Sequence, residues 1–403
     1  MESQRWRIAL LISAAIAISY LDRQTLPVAI AAIQREIPIS NTQFSQLQAA
    51  FLVAYALMYA GGGKLIDVLG TRRGFVWIMV TWSLACASHG FAVGFRTLAM
   101  SRFLLGFGEG GGFPAATKAV AERFSASQRS TAMGIINAGT AVGAVFAPPA
   151  IAAIIGAGSW RWVFFATGAV GLAWIFWWLR EYQPLPPTTL QEAKEEPIGW
   201  LRLLTFKETW GLVLAKFLSD AAWYFYLFWL PKYLYDVRGF DTKSVGYYAW
   251  IPYAAAGVGS LTGGWFSSWL LQRGSSLNAS RKITLGLSAA LMPLVAFVTS
   301  SPVEMAIALF SVAFFGQQSW STLVMILPAD LFPRSAVGSV AGLVGFGGSM
   351  GGVVFNLAVG YLLDHGSGYG VVLGMVSTFH VIAFCVILLA IRRVEPLVFE
   401  RKL

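Results

Sequence analysis

The chain has 403 residues, of which 57% are hydrophobic and only 12% are charged. Since a soluble domain carries a charged fraction of about 25%, this composition excludes a soluble globular protein and predicts a membrane protein. The formal net charge is +10, but Lys and Arg fall singly or in pairs between apolar runs, which excludes the basic surface of a nucleic-acid-binding protein.

Apolar runs follow one another along the chain, and each has about 20 residues or more, the length that crosses a bilayer as a helix. The first run is not followed by a signal-peptide cleavage site, so we expect it to be retained. The sequence predicts an all-α membrane protein with twelve transmembrane helices at approximately 7–33, 43–66, 74–94, 96–122, 128–155, 160–180, 207–236, 242–270, 281–299, 302–330, 335–363 and 368–391.

A hydrophilic segment with the composition of a linker, "EYQPLPPTTLQEAKEEP", follows the sixth run. We predict an N-terminal six-helix bundle over 1–180, a cytoplasmic linker over 181–206 and a C-terminal six-helix bundle over 207–403. The fifth helices of the two halves share a glycine-rich pattern, "NAGTAVGAVFAPP" at 137–149 and "GFGGSMGGVVFN" at 345–356. Such a repeat is typical of transporters that rock two similar bundles.

Lys and Arg are distributed unevenly between the two sets of loops. Most of them lie at the termini and in the loops on the same side, and cytoplasmic loops carry an excess of basic residues. The sequence therefore predicts that both termini lie in the cytoplasm. The basic residues predicted on the external face are Arg35, Arg96, Arg161, Lys232, Arg238 and Lys243.

The turn after the second predicted helix has the pattern G-x-L-x-D-x-x-G-x-R, from Gly63 to Arg72. Its glycines permit a tight turn, and Asp67 can pair with cytoplasmic Arg residues or a helix N-terminus when that side of a transporter is shut. We predict a gating loop carried by Asp67, Arg72 and Arg73. The alternative is an ordinary charged turn.

Ionisable residues inside predicted spans are costly and mark functional sites. Asp22 and Arg23 are adjacent in the first span, whereas Arg102 and Glu109 lie two turns apart in the fourth. Adjacent helical residues point about 100° apart, so Asp22 and Arg23 need separate partners. We expect Asp22 to pair with Arg102, which leaves Arg23 to bind a substrate carboxylate, and we predict that Glu109 carries a proton. The alternative is a purely structural ion-pair network.

The fourth span also contains a G-x-G-x-x-G pattern at Gly106, Gly108 and Gly111. A dinucleotide-binding loop with this spacing follows a strand and opens a helix in a βαβ unit. Here the glycines lie inside an apolar run without a preceding strand, so the pattern instead predicts a thin helix that packs closely against the first or second helix. Pro114 is expected to bend it.

Polar and aromatic side chains inside the spans are candidates for a cavity that binds a hydroxylated ligand. For any single aromatic residue, packing or a position at the membrane interface is the alternative. The candidates are Tyr20, Tyr55, Gln317, Gln318, Trp320 and Ser321.

The remaining reactive side chains suggest no chemistry of their own. Cys86 and Cys385 lie in apolar segments and are expected to be small buried side chains. The three histidines show no metal-ligand spacing, and His89 and His365 are expected in loops or at the interface. No nucleophile and base combination stands out, so we predict neither an enzyme nor a metal site.

These motifs together resemble the anion:cation symporter family of the major facilitator superfamily, and within it the bacterial hexuronate transporters. The resemblance covers nearly the whole chain. It implies a major facilitator fold and proton-coupled import of a small sugar-acid anion by a monomer, with no cofactor other than the coupling protons. The segments that carry it are "YLDRQTLPVA" at 20–29, "GEGGGFPAATKAVAERF" at 108–124, "RSTAMGIINAGTAVGAVFAPP" at 129–149, "WYFYLFWLPKYL" at 223–234, "QQSWS" at 317–321 and "DLFPRSAVGSVAG" at 330–342.

The resemblance also implies roles for individual residues. Arg23 is similar to the family's carboxylate-binding arginine, Asp22 and Glu109 to its proton-linked acids, and Arg102 to the arginine that partners them. Tyr20 and Tyr55 correspond to cavity residues, and Asn356 is similar to a substrate-contacting amide.

Two positions depart from the family pattern. Thr140 stands where aldonate-transporting relatives have Gln, and Gln317 stands where hexuronate relatives commonly have His. The first argues against a galactonate-type site, and the second leaves the exact uronate open. Two alternatives therefore stay open: a transporter of another organic anion, such as an aldonate, aldarate or aromatic carboxylate, and a non-transporting nutrient sensor on the same scaffold.

Overall fold

The computed structural model describes residues 2–124, 126–183, 200–332 and 334–397. Over these residues the regular structure is helical and contains no strand. Short 3-10 segments at His89–Phe91 and Met292–Phe297 continue the third and twelfth α-helices. The helices are α1 (Glu2–Gln34), α2 (Asn41–Leu69), α3 (Thr71–Ser88), α4 (Phe95–Gly110), α5 (Gly112–Arg123), α6 (Ala126–Ala157), α7 (Arg161–Glu181), α8 (Trp200–Leu203), α9 (Lys207–Asp236), α10 (Thr242–Tyr248), α11 (Trp250–Gln272), α12 (Leu277–Leu291), α13 (Val303–Leu331), α14 (Arg334–Asp364) and α15 (Tyr369–Ala390).

The predicted all-α fold of twelve long helices is confirmed, although three of the twelve are each divided into two helical pieces beside a proline. The fourth is α4 followed by α5, which meet at Gly111 just before Pro114. The eighth is α10 followed by α11, with Pro252 in the first turn of α11. The ninth is α12 followed by a 3-10 segment that contains Pro293. Proline lacks an N–H group and clashes with the preceding turn, which explains why regular α-helix is interrupted beside each of these residues.

Length and apolar composition alone identify five of the described helices as able to cross a membrane: Thr71–Phe91, Gly134–Ala157, Arg161–Glu181, Ser339–Asp364 and Tyr369–Ala390. Several other long helices carry polar or charged side chains that lie inside the protein. Those side chains lower the mean hydropathy of the helix without facing lipid, since polar groups in membrane helices point to the protein interior.

The surface of the helices is strongly apolar. Large hydrophobic side chains such as Leu389, Leu261 and Phe176 are 79%, 75% and 75% exposed. Apolar surface of this extent is not stable in water and matches the hydrocarbon of a bilayer.

The described helices group into two compact units. The first comprises Met1–Glu192, Tyr224–Ala254 and Val353–Gly366, and the second comprises Ala193–Trp223, Ala255–Gly352 and Ser367–Leu403. The first unit therefore includes segments from both halves of the sequence. The predicted division into bundles 1–180 and 207–403 stays a prediction, and most of the predicted linker, residues 184–199, lies outside the described residues.

Within the first unit, polar contacts join helices that are distant in sequence. The Asp364 carboxylate, at the end of α14, accepts the backbone N–H groups of Asn41 at 3.0 Å and Thr42 at 2.7 Å. These N–H groups begin α2 and have no partner inside their own helix. The hydroxyl of Tyr235 on α9 donates to the Val28 carbonyl of α1 at 2.6 Å.

A pair of glycines brings two helices together in each unit. In the first unit, a Cβ at Gly139 or Gly143 of α6 would overlap a backbone carbonyl of α1, at Ser13 and Ala17 respectively. Only glycine allows such a close approach of two helix backbones.

The second unit repeats this arrangement with the same spacing. Gly347 and Gly351 of α14 face Val213 and Phe217 of α9, so closely that a Cβ at Gly351 would overlap the Phe217 carbonyl. In both units the two glycines are four residues apart and so are the residues they face, and they come from the glycine-rich segments that resemble each other in sequence. The same packing device is thus used in both halves of the chain.

The predicted gating turn is formed at Gly70, which separates α2 from α3 with a φ of +74°, a conformation that favours glycine. Arg72 donates through Nη2 to the Leu179 carbonyl at 2.8 Å, and Arg73 is exposed. The side chain of Asp67 lies outside the described part of the chain. The gating role of these residues stays a prediction.

Two expectations about individual side chains were wrong. Cys86 is buried as expected, but Cys385 is exposed on α15. His89 is fully buried rather than in a loop, because its ring stacks on Phe164 with centroids 4.8 Å apart. His365 is exposed as expected.

Candidate functional site

The most distinctive group of buried charges lies between α1 and α4, in the first unit. The Nε atom of Arg23 donates to Oε2 of Glu109 at 2.7 Å, and the two side chains are 3% and 0% exposed. The Ser19 hydroxyl donates to the same carboxylate oxygen at 2.6 Å, whereas Oε1 of Glu109 has no partner among the described residues. Glu109 is thus held by one cation and one hydroxyl, with half of its hydrogen-bonding capacity unused.

Glycines on α4 let the segment around Glu109 pack closely against the neighbouring helices. A Cβ at Gly106 would overlap the Phe51 carbonyl of α2, and a Cβ at Gly110 would lie 2.5 Å from the Tyr55 carbonyl. Gly108 lies equally close to the backbone of α3 at Trp82. The G-x-G-x-x-G pattern therefore packs α4 onto α2 and α3, and α2 is one of the two partners that the sequence predicted.

Aromatic rings enclose the Arg23 guanidinium. Its Cζ atom lies 4.7 Å from the ring centre of Tyr20, 4.6 Å from that of Tyr55 and 5.5 Å from that of Phe51. Flat rings stabilise a guanidinium through its faces and leave its N–H edge available for a planar acceptor. The structure therefore brings the predicted residues Tyr20, Arg23, Tyr55 and Glu109 together.

Arg102 lies in the same region but has a different partner from the one we predicted. Its Nη2 donates to Oε1 of Gln48 on α2 at 2.5 Å, and its Nε and Nη1 have no partner among the described residues. The guanidinium packs against the ring of Phe51 at 4.7 Å and lies within electrostatic range of Glu109 and Asp22.

The predicted Asp22–Arg102 ion pair was wrong. Asp22 instead accepts the indole N–H of Trp82 at 2.6 Å and the thiol of Cys86 at 3.3 Å, both from α3. Among the described residues no Lys or Arg lies within salt-bridge distance of Asp22. The prediction failed because α1 turns Asp22 towards α3, and sequence spacing does not reveal which neighbouring helix a side chain meets.

The predicted polar residues of α13 lie in the second unit. Gln317 is buried, and its Oε1 receives a short hydrogen bond from Nε2 of His380 on α15. Trp320 is fully buried and packs edge-on against His380. Ser321 accepts a hydrogen bond from Lys216, whereas Gln318 is half-buried.

The two remaining predicted binding residues, Asn356 and Thr140, form hydrogen bonds with residues other than Arg23. Asn356 is fully buried, and its Oδ1 accepts the indole N–H of Trp229 at 2.7 Å in the first unit. Thr140 is half-buried, and its hydroxyl donates to the Asn137 carbonyl of its own helix at 2.8 Å. Neither contact tests a role in binding.

Several site residues were missed by the sequence analysis. Ser19, Gln48 and Trp82 each bond directly to one of the buried charges. A polar residue within an apolar run was the available signal for Ser19 and Gln48. Trp82 and Cys86 gave no signal, because an indole or a thiol in an apolar segment usually has a packing role.

The described fold consists of long helices with an apolar exterior that enclose buried ionisable side chains. Residues 12–356 match the family model of the Major Facilitator Superfamily. The chain belongs to this superfamily and is a membrane transporter rather than an enzyme.

Relatives with known roles extend this comparison. The hexuronate transporter of Escherichia coli (strain K12) is 31% identical over 385 residues, which covers 89% of this chain and 88% of that transporter. The galacturonate transporter of Dickeya chrysanthemi is 32% identical over 72% of this chain and 89% of its own length. The probable galactarate/D-glucarate transporter of Escherichia coli (strain K12) is 26% identical over 97% and 95%.

Solved structures show the same fold. A bacterial homolog of the human lysosomal transporter Spinster, in an inward-facing and occupied conformation, superimposes with a TM-score of 0.77 and 20% identity over 96% of this chain and 97% of that one. A D-xylose-proton symporter superimposes with a TM-score of 0.73 and 16% identity over 94% and 96%.

Proposed function

We propose that this transporter imports hexuronates, such as glucuronate and galacturonate, together with protons across the bacterial inner membrane, with both termini in the cytoplasm. The substrate class is supported by the relatives, which are named as transporters of hexuronate, galacturonate and galactarate or glucarate. The coupling mechanism is supported by the buried Arg23–Glu109 pair.

The observation that carries the proposal is that Arg23 is already bound to a carboxylate. Glu109 and the carboxylate of a sugar acid are chemically the same kind of partner for a guanidinium. A proton on Glu109 removes its negative charge and weakens its hold on Arg23, which makes the guanidinium available to the substrate. Loss of the proton restores the Arg23–Glu109 pair and favours release of the substrate.

Proton and substrate therefore assist each other's binding at this pair. Coupling between two ligands is reciprocal, because each changes the other's affinity by the same factor. In the proposed cycle the substrate binds from outside while Glu109 is protonated, and the proton and substrate then leave on the cytoplasmic side.

Asp22 is proposed as a second proton-linked acid. It is buried beside Trp82 and Cys86 without a bonded cation among the described residues. An ionised carboxylate in that position is costly inside a membrane protein, so a change in its protonation is readily linked to a change in its surroundings. Arg102 is proposed to balance the two acids electrostatically.

The decisive test is Glu109→Gln in proteoliposomes, since glutamine keeps the shape of the side chain but cannot exchange a proton. We expect proton-driven uphill accumulation of glucuronate to be lost, while counterflow exchange down a gradient is retained. Glu36→Gln serves as the control, because Glu36 is an exposed acid that follows the end of α1 and pairs with Arg161. Accumulation at the wild-type level in Glu109→Gln would remove Glu109 from the mechanism.

The same assay tests the substrate. Unlabelled glucuronate and galacturonate are expected to compete with labelled glucuronate, whereas aldonates and aromatic carboxylates are expected to compete weakly. If neither labelled glucuronate nor labelled galacturonate is taken up while another labelled organic acid is, the substrate assignment is wrong while the proton-coupling mechanism stands.

A further inference from the structure

A second buried pair of opposite charges lies in the second unit. Lys216 and Asp220 are one helical turn apart on α9, with Nζ and Oδ1 separated by 2.8 Å and side chains 11% and 10% exposed. Lys216 also donates to the Ser321 hydroxyl at 3.1 Å. Charges buried this deeply are costly in a membrane protein and are retained where they serve a function.

Close helix packing maintains space for the pair. A Cβ at Gly348 of α14 would overlap Oδ2 of Asp220 and would lie 3.0 Å from Cγ of Lys216. Glycine at this position therefore lets α14 approach while the charged side chains stay in place. The position equivalent to Gly348 in the repeated glycine pattern of α6 is Thr140, so the space is specific to the second unit.

The polar groups around the pair have unused hydrogen-bond donors. A lysine ammonium has three N–H donors, and Asp220 and Ser321 accept two of those of Lys216. Nε2 of Gln317 and Nε1 of Trp320 are buried without a partner in the described part of the chain. Gln317, Trp320 and Ser321 share one face of α13, because they are three and four residues apart.

One unused acceptor lies beside these donors. The His380 ring bonds to Gln317 through Nε2, and its buried Nδ1 has no partner within the described residues. Since the side-chain oxygen of Gln317 is an acceptor, Nε2 of His380 donates and Nδ1 is left as an acceptor. The ring also lies within electrostatic range of Lys216.

We propose that this cluster, formed by Lys216, Asp220, Gln317, Trp320, Ser321 and His380, is a second anion-recognition site that binds one carboxylate of a sugar diacid. The unused donors match a carboxylate, and the acceptor on His380 matches the neighbouring hydroxyl of a sugar acid. The proposal rests on the proposed function, because it assumes that the transported molecules are sugar acids. It assigns Lys216 a role in accepting diacids in addition to the hexuronates.

The test compares galactarate, which carries two carboxylates, with galacturonate, which carries one. We expect Lys216→Met to weaken galactarate binding to the purified transporter by about tenfold or more, the loss of one charged hydrogen bond, and galacturonate binding by less than about threefold. The control is Lys232→Met, which removes another Lys–Asp pair of the same spacing on α9, with Asp236 at 2.6 Å. Equal effects on both ligands, or no effect, would overturn the proposal.

A neutral double variant guards against misfolding. Lys216→Met with Asp220→Asn leaves no unpaired charge and should keep a wild-type unfolding temperature while still losing affinity for galactarate. Sulfate provides a probe without sugar: it should raise the unfolding temperature of the wild type more than that of Lys216→Met. If sugar acids fail to bind but this sulfate difference is present, the proposed function fails and the anion site stands; if the sulfate difference is absent as well, both fail.

Discussion

Two buried ion pairs among the described residues differ in how they are built. Arg23 and Glu109 come from α1 and α4 and meet across a helix contact at 2.7 Å, whereas Lys216 and Asp220 occupy successive turns of α9 at 2.8 Å. A pair that joins two helices makes their contact depend on its charge state. A pair on one helix does not itself join two helices, which fits the role in ligand recognition that we propose for Lys216.

The largest effect expected from this difference is at Arg23. Arg23→Lys retains the charge but loses the planar fork that lies between Tyr20 and Tyr55, so glucuronate affinity should fall by about 10- to 100-fold. Isothermal titration of the purified variant measures this, with Arg35→Lys as a control on an exposed arginine. An affinity within about threefold of wild type would show that a positive charge at position 23 is sufficient for glucuronate binding. The guanidinium of Arg23 would then have no advantage over an ammonium group such as that of Lys216.

Packing glycines should behave alike in the two units. Gly143→Leu on α6 and Gly351→Leu on α14 each force a side chain against a backbone carbonyl, and each should lower the free energy of unfolding by about 1–3 kcal/mol or more. Thermal unfolding in detergent measures both losses. Gly374→Leu is the control, since a Cβ there meets nothing within 4 Å. A large loss in one variant only would contradict the equivalence of the two helix contacts.

A smaller effect is expected at Asp364, the cap that joins α14 to the start of α2. Asp364→Asn removes the charge that accepts the N–H groups of Asn41 and Thr42, and should raise their hydrogen exchange by about fivefold, equivalent to about 1 kcal/mol. Asp241→Asn is the matched control, because Asp241 caps only its own helix at Ser244. Unchanged hydrogen exchange at Asn41 and Thr42 would show that the Asp364 contact contributes nothing to the stability of the start of α2.

Much of the fold could be predicted from the chain alone. Runs of apolar residues identify membrane helices because hydrocarbon tolerates few polar groups outside a bundle, and the predicted spans match the observed helices to within a few residues except where proline or glycine divides them. The residues of the buried cluster could also be found, since Asp22, Arg23, Arg102 and Glu109 are charges in an apolar setting.

Their partners could not be found in the same way. The spacing along α1 states that Asp22 and Arg23 point in different directions, but the rotation of α1 against α3 and α4 decides that Asp22 meets Trp82 while Arg23 meets Glu109. Gln48 receives Arg102 for the same reason. Lys216 and Asp220 had the spacing of a helical pair, but that spacing does not state that both side chains are buried: Lys232 and Asp236 have the same spacing, and there Asp236 is 33% exposed.

The sequence by itself determined the class of the molecule, its helical elements and the identity of most of its buried charges, because these depend on local composition and on the solvent that each segment requires. The tertiary structure decided the pairing of those charges and the contact of Lys216 with Ser321 on α13. Pairing depends on distances of 2.5–3.3 Å between side chains on different helices, and such distances follow from the rotation and depth of each helix, which no single segment specifies.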